Sequence, residues 1–137
     1  MAKSSTFQCS LITPERVVLD CVASFVAFPA HDGEMGVLVD RAPLVCKLGI
    51  GPLRVETGGK RHVFFIDGGF AQVVNNRLTI LTQQAIPAAN IDRAAAQKAL
   101  TDAQAMKVSD EAAFQARQNA MARAKTQLQI RISAINP

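Results

Sequence analysis

The feature that most limits what this chain can fold into is its punctuation. Turn signals recur roughly every eight to twelve residues up to about Ala85, and after Pro87 they stop. They are Thr13-Pro14, His31-Asp32-Gly33, Arg41-Ala42-Pro43, Gly49-Ile50-Gly51-Pro52, Gly58-Gly59, Asp67-Gly68-Gly69 and Asn75-Asn76. Between them lie short runs rich in Val, Ile, Leu, Phe and Thr, such as Phe7–Ile12, Val22–Phe28, Leu44–Leu48, Leu53–Thr57, His62–Ile66, Ala71–Val74 and Leu78–Thr82. Short strands at this spacing predict an all-β sandwich or barrel over residues 1–87. Asn75-Asn76 predicts a tight hairpin, because Asn tolerates positive φ. Val63-Phe64-Phe65-Ile66 is apolar on both faces of a strand, so one face belongs to the core and the other is expected to meet another protein.

Residues 88–137 change character. Ile91 to Met106 is rich in Ala, the best helix former, with Asn90 as N-cap and Asp92 in a first turn that favours carboxylates. Lys107-Val108-Ser109 breaks the pattern, and Ser109 is expected to cap a second helix opened by Asp110 and Glu111. Phe114, Met121, Leu128 and Ile132 form one stripe on that helix. So short a connection predicts an antiparallel helical hairpin. Its inward positions are read as Ala95, Ala99 and Ala103, each contributing on the order of 1 kcal/mol or less, so the hairpin is expected to be held weakly.

Charge follows the same division. Residues 1–88 carry eight basic and seven acidic residues; residues 89–137 carry seven and four, with none acidic after Glu111. A basic terminal helix reads either as a solvated helix face or as a helix end that docks on an acidic protein surface. Nucleic acid does not fit, since there is no Lys/Arg cluster and the rings are seven Phe with no Tyr or Trp. No run is long and apolar enough to cross a membrane, and residues 1–6 do not resemble a signal peptide, so membrane association is expected only through partners.

Catalytic signatures are missing. Gly49-Ile50-Gly51 lacks the third glycine and the helix of a dinucleotide site, and no P-loop, HExxH or Gly-x-Ser-x-Gly occurs. His31 beside Asp32 and Glu34 reads as a polar turn, and His62 as a solvated strand end. Cys9, Cys21 and Cys46 have no metal-ligand spacing and read as buried, reduced thiols of a cytosolic protein. No metal, cofactor or catalytic residue is expected.

The order of motifs is specific. Phe28-Pro29-Ala30-His31-Asp32-Gly33-Glu34-Met35-Gly36-Val37-Leu38 precedes Arg41-Ala42-Pro43-Leu44, Gly51-Pro52-Leu53-Arg54-Val55 and Asp67-Gly68-Gly69-Phe70-Ala71-Gln72-Val73. Leu78-Thr79-Ile80-Leu81 and an Ile-Asp before two Ala-rich helices follow. Over nearly its whole length the chain resembles the epsilon subunit of the bacterial F-type ATP synthase, the counterpart of mitochondrial delta. The resemblance implies a non-catalytic central-stalk subunit that couples the gamma subunit to the c-subunit ring. Its helices would reach the alpha/beta catalytic head and inhibit ATP hydrolysis. The location implied is peripheral, on the cytoplasmic face of the bacterial inner membrane.

The resemblance also implies sites. Asp32 and Glu34 match the acidic loop that touches the c-ring, with Glu34 the principal contact expected. Arg41, Pro43 and Leu44 match the family's His-Ala-Pro-Leu at a gamma or sandwich interface, with Arg in place of His. Arg117, Arg123, Lys125 and Arg131 are the cations of an inhibitory helix. The family's nucleotide-sensing motif matches Ile91, Asp92 and Ala96, but Ala95 stands where it has Arg; Arg93 lies about 200° around the helix and does not replace it. No nucleotide binding is expected. The alternative reading is a stand-alone small-ligand-binding β-sandwich with a helical lid, and a more remote one is a small enzyme using His31 and a Cys.

Overall fold

A computed structural model describes the backbone of residues 5–135 and the side chains of residues 5–130. Eight strands come first: β1 (Phe7–Ile12), β2 (Val17–Ala23), β3 (Phe25–Ala30), β4 (Gly33–Val37), β5 (Leu44–Thr57), β6 (Lys60–Val74), β7 (Arg77–Leu81) and β8 (Ala85–Pro87). A 3-10 turn at Ala88–Asn90 leads to α1 (Arg93–Gln104) and α2 (Glu111–Ile135). The strand order is β2-β1-β7-β6-β5-β3-β4, with β8 also beside β6.

Two expected turns are not turns. Gly49-Ile50-Gly51-Pro52 lies inside β5 and Asp67-Gly68-Gly69 inside β6, so four expected short strands are two strands of 14 and 15 residues. They pair in one constant register from Leu44↔Val73 to Thr57↔Lys60, broken only at Gly49 and Gly68 and closed by Gly58-Gly59, both at positive φ. The long strands join the two layers of the sandwich. Residues 70–74 of β6 pair with β7 and residues 64–66 with β8, while residues 54–56 of β5 pair with β3. The glycines serve the passage between layers. Gly69 has φ +112, and a Cβ there would stand 1.9 Å from the Leu81 carbonyl oxygen.

Asn75 and Asn76 do form the expected hairpin turn, at φ 50 and 57. Asn76 also fixes the loop after β4: its side-chain oxygen accepts from the Asp40 N–H (2.6 Å) and its amide donates to the Asp40 carboxylate (2.9 Å). Strand alternation builds the core. Cys9 and Leu11, Val26 and Phe28, Leu53 and Val55, Phe64 and Ile66, and Leu78 and Ile80 all point inward, and each is buried.

The helix caps fall elsewhere than expected. Asn90 belongs to the 3-10 turn, and Asp92 is the N-cap of α1, accepting from the Ala95 N–H at 3.1 Å. Asp110, not Ser109, accepts from the Ala113 N–H (2.8 Å) at the head of α2. The inward face of α1 runs through Ala96 and Ala103, both 2% exposed, while Ala95 and Ala99 face solvent. On α2, Ala124 and Ile130 are buried, Met121 and Leu128 are half-buried, and Phe114 is 40% exposed. The expected stripe is thus rotated, because α2 must meet α1 and the sandwich together. The side chain of Ile132 lies outside the described residues.

Candidate partner interface

The doubly apolar segment of β6 explains how the two parts meet. Phe64 and Ile66 enter the sandwich core; Val63 and Phe65 point the other way. That second face is covered, at Phe65, by the chain itself. Phe65 has no exposure beneath Ala88, Ile91 and Ile130, with Ile50 and Ile86 alongside. An ion pair crosses the seam. Arg123 of α2 donates Nε–H to Asp67 Oδ2 at 2.7 Å, with the Asp67 side chain 19% exposed. Between the last turns of α2 and the sheet remains a cleft of about 700 Å³ that Arg54, Arg61, Val63, Ala88 and Gln129 help to line.

Each sequence-derived position has a definite place. Asp32 sits exposed in the two-residue turn between β3 and β4. Glu34 belongs to β4 and already accepts from Arg54 at 2.6 Å, and Arg54 keeps a buried Nε without a partner. Arg41 and Pro43 are exposed in the loop before β5, and Leu44 is half-buried against the core. Arg117 reaches the Gln104 carbonyl at 3.5 Å, bracing the hairpin, and Lys125 faces solvent. Arg131 lies in α2, its side chain outside the described residues. Of the three cations with described side chains, Arg117 and Arg123 are engaged within the chain and Lys125 is exposed.

The motif at Ile91, Asp92, Ala95 and Ala96 is spent on structure. Ile91 packs on Phe65, Asp92 caps α1, Ala96 faces α2 and Ala95 is exposed with no charged group to offer a phosphate.

The residues that sequence reasoning missed lie on the open face of the sheet. Val45 on β5 is 69% exposed, Phe70 on β6 55% and Leu81 on β7 49%, and Phe70 and Leu81 are direct cross-strand partners. Val45 stands diagonal to Phe70, since Val45 pairs with Gln72 and Lys47 with Phe70. A hollow of about 330 Å³ beside Phe70 and Leu81 reaches Ile12 and Gly69. Three large apolar side chains clustered on one face are more than the scattered exposure of an ordinary surface. The signal was present in Phe70-Ala71-Gln72-Val73, where Ala71 and Val73 take the core and leave Phe70 outward. Asp67, assigned to a turn, gave no sign of its partner 56 residues away.

The described residues contain no cluster of three His, Cys, Asp or Glu able to hold a metal. Among them, no helix is long and apolar enough to cross a membrane. All three thiols are free. Burial, with Cys21 and Asp20 nearby, pushes Cys9 up to about 12, and burial also raises Cys21 and Cys46. Such thiols are poor nucleophiles at neutral pH, which counts against a cysteine enzyme.

Comparison with known proteins agrees with this arrangement. Residues 6–88 match the family described as "ATP synthase, Delta/Epsilon chain, beta-sandwich domain". The ATP synthase epsilon chain of Rhodopirellula baltica is 42% identical over 123 residues, spanning 90% of this chain and 96% of that one. A chain in the cryo-EM structure of the Euglena gracilis mitochondrial ATP synthase (OSCP/F1/c-ring, rotational state 1) superposes with TM-score 0.82 at 28% identity, covering 98% of this chain and 84% of that one. A chain from the central stalk/c-ring structure of the Tetrahymena thermophila mitochondrial ATP synthase shares the fold, with TM-score 0.70 at 14% identity over 95% and 99% of the two chains. The chain belongs to the delta/epsilon chain family of ATP synthases, with the sandwich and helices of an epsilon subunit.

Proposed function

We propose that this chain is a non-catalytic rotor subunit in the central stalk of an F-type ATP synthase, bound to the gamma subunit and seated on the c-subunit ring. Its membrane association is then peripheral and through those partners, on the cytoplasmic face of the bacterial inner membrane. The observation that carries the reading is the uncovered apolar cluster of Val45, Phe70 and Leu81. Burying one such side chain contributes roughly 1.5–3 kcal/mol, so three supply a substantial anchor for gamma. The loop with Arg41 and Pro43 leads directly into β5, where Leu44 turns to the core and Val45 to the open face. Asp32 is the freer acidic contact for the c-ring, Glu34 being engaged by Arg54. The test is reconstitution of the complex with Phe70→Glu. Loss of this chain from the purified complex is expected, and unchanged retention overturns the assignment of the face.

The same reading makes the hairpin a conditional brake on ATP hydrolysis. Docked, the two helices meet each other through small side chains, and α2 meets the sandwich through Ile130 on Phe65 and through Arg123–Asp67, a partly exposed pair worth about 1 kcal/mol or less. Arg123 cannot serve Asp67 and an acidic group on the alpha/beta head at once. The brake therefore requires the pair to open. Fusing the hairpin to the sandwich by a designed disulfide is expected to remove inhibition, and inhibition that survives the cross-link sinks the brake.

A further inference from the structure

The register of the first two strands sets Cys9 of β1 directly opposite Cys21 of β2. Residues facing each other across an antiparallel pair project their side chains to the same side. Here that side is the core: Cys9 has no exposure, and Cys21 is half-buried against the same cluster. The Gln8 N–H donates to the Asn76 carbonyl, toward β7, so the backbone of Cys9 faces β2. Cys9 and Cys21 therefore form a hydrogen-bonded pair, a class in which Cα atoms stand about 5.5 Å apart and Cβ atoms toward the wide end of about 4.5–5.5 Å. Disulfides span about 4.4–6.8 Å between Cα atoms and about 3.5–4.5 Å between Cβ atoms, so the Cα spacing suits a bridge and the two side chains close by up to about 1 Å, a movement open to an edge strand. Cys46, on β5, is separated from β1 by β6 and β7 and faces Ala71.

We propose that Cys9 and Cys21 are an oxidation site, which a hydroperoxide converts into a cross-strand disulfide stapling the edge strand β2 to β1. Cys21, the more accessible of the two, reacts first. Its thiolate attacks one peroxide oxygen, the S–O bond forms as the O–O bond breaks, and the leaving alkoxide takes a proton to become an alcohol. The Cys9 sulfur then attacks the sulfenic sulfur of Cys21. An S–S bond forms, the S–O bond breaks, and the departing hydroxide takes the Cys9 proton as water. Two thiols and one hydroperoxide give one disulfide, one alcohol and one water, the hydroperoxide being the oxidant.

Burial raises both thiols, Cys9 most, and the Thr57 hydroxyl beside Cys21 opposes the rise only in part. The thiolate fraction is small at neutral pH, so the staple forms slowly and records sustained oxidation. Once formed it pins an edge strand that is held on one side only, since β2 ends the sheet order.

The experiment treats the purified full chain with hydrogen peroxide under native conditions, then alkylates and measures mass. The expected product has lost about 2 Da, joins peptides 4–16 and 17–41 within one chain, and leaves Cys46 alkylatable. It melts about 5 °C above the reduced chain and returns on reduction. Cys46→Ala forms the same link at the same rate. Cys9→Ala accumulates a Cys21 sulfenic acid that dimedone captures; if that variant does not fold, Cys46→Ala decides alone. A link through Cys46, over-oxidation without a link, no reaction, or an unchanged melting point overturns the proposal.

Discussion

The sandwich is closed by large side chains and the hairpin by small ones. Leu11, Phe28, Leu53, Ile66, Leu78 and Ile80 are wholly buried in the first, whereas the helix–helix contact is made through Ala96, Ala103 and Ala124. Each Leu or Phe contributes roughly 1.5–3 kcal/mol on burial and each Ala methyl about 0.8 kcal/mol. Ordering an added residue costs about 1–2 kcal/mol of backbone entropy, so an alanine interface leaves little surplus. The strands also satisfy one another's backbone groups, as Cys9–Cys21 and Leu53–Phe64 do across their ladders. The lesson is that one short chain can hold two modules of unequal packing, a core closed by Leu, Ile and Phe and a helix pair closed by Ala that rests on the core through Phe65 and Ile130.

The contrast breaks if core and seam respond alike to mutation. Leu53→Ala removes a side chain with no exposure and is expected to destabilise the sandwich by about 2–5 kcal/mol in denaturant titration. Gly69→Ala is expected to be as severe, because its new Cβ meets the Leu81 carbonyl and φ is positive. A loss below about 1 kcal/mol at either site removes the distinction between the two regions.

Removing residues 109–137 probes the other side of the comparison. The sandwich core does not include α2, so the truncated chain is expected to keep its β-sheet circular dichroism. It uncovers Phe65, however, and becomes more prone to associate. In the reconstituted complex, ATP hydrolysis is expected to rise, and neutralising Arg117, Arg123, Lys125 and Arg131 together to reproduce part of that rise. Hydrolysis that is the same with and without the helix, at low and high salt, removes the brake.

Much of this division was legible because it rests on local chemistry. Alternation at Phe7–Ile12 set both ends of β1, and Asn75-Asn76 named its own turn type. What failed depends on distance. The glycines at 49, 51, 68 and 69 read as turns, yet they let two long strands pass between layers where Leu81 and Pro29 come close. Phe65 read as a partner surface because nothing local reveals that Ile130 returns to cover it. Glu34 read as free because Arg54 is 20 residues away in sequence and adjacent only across the sheet. The family's motif order pointed to the assembly, while the residues making the seam had no sequence signature of pairing.

Asp67→Asn sharpens the comparison on a finer scale. It keeps the shape of the side chain and removes the charge that Arg123 meets, at an expected cost of about 1 kcal/mol or less to hairpin docking. That corresponds to a rise of up to about fivefold in amide hydrogen exchange across α2 if docking protects those amides, with exchange in β1 and β7 unchanged. Added salt is expected to shrink the difference between the two proteins, because a pair this exposed is screened. Equal change in helix and strands assigns the pair to general stability and not to the latch.

The smallest effect is expected at the turn between β3 and β4, and it separates two acids only two residues apart. Glu34 is held by Arg54, and Glu34→Lys places two cations together across the sheet, so its effect combines local repulsion with any lost contact to the c-ring. Asp32 is exposed in the turn and has no such partner among the described residues. Asp32→Lys therefore reports on the outer contact alone, an interaction of roughly 0–1 kcal/mol that salt weakens. In membrane vesicles carrying the reconstituted complex, ATP-driven proton pumping is expected to fall modestly with Asp32→Lys, while the melting point of the isolated chain stays put. With Glu34→Lys both are expected to move. If Asp32→Lys leaves pumping untouched at low salt, the acidic turn does not meet the ring. The rigid module would then make its contact through the apolar face around Phe70 alone.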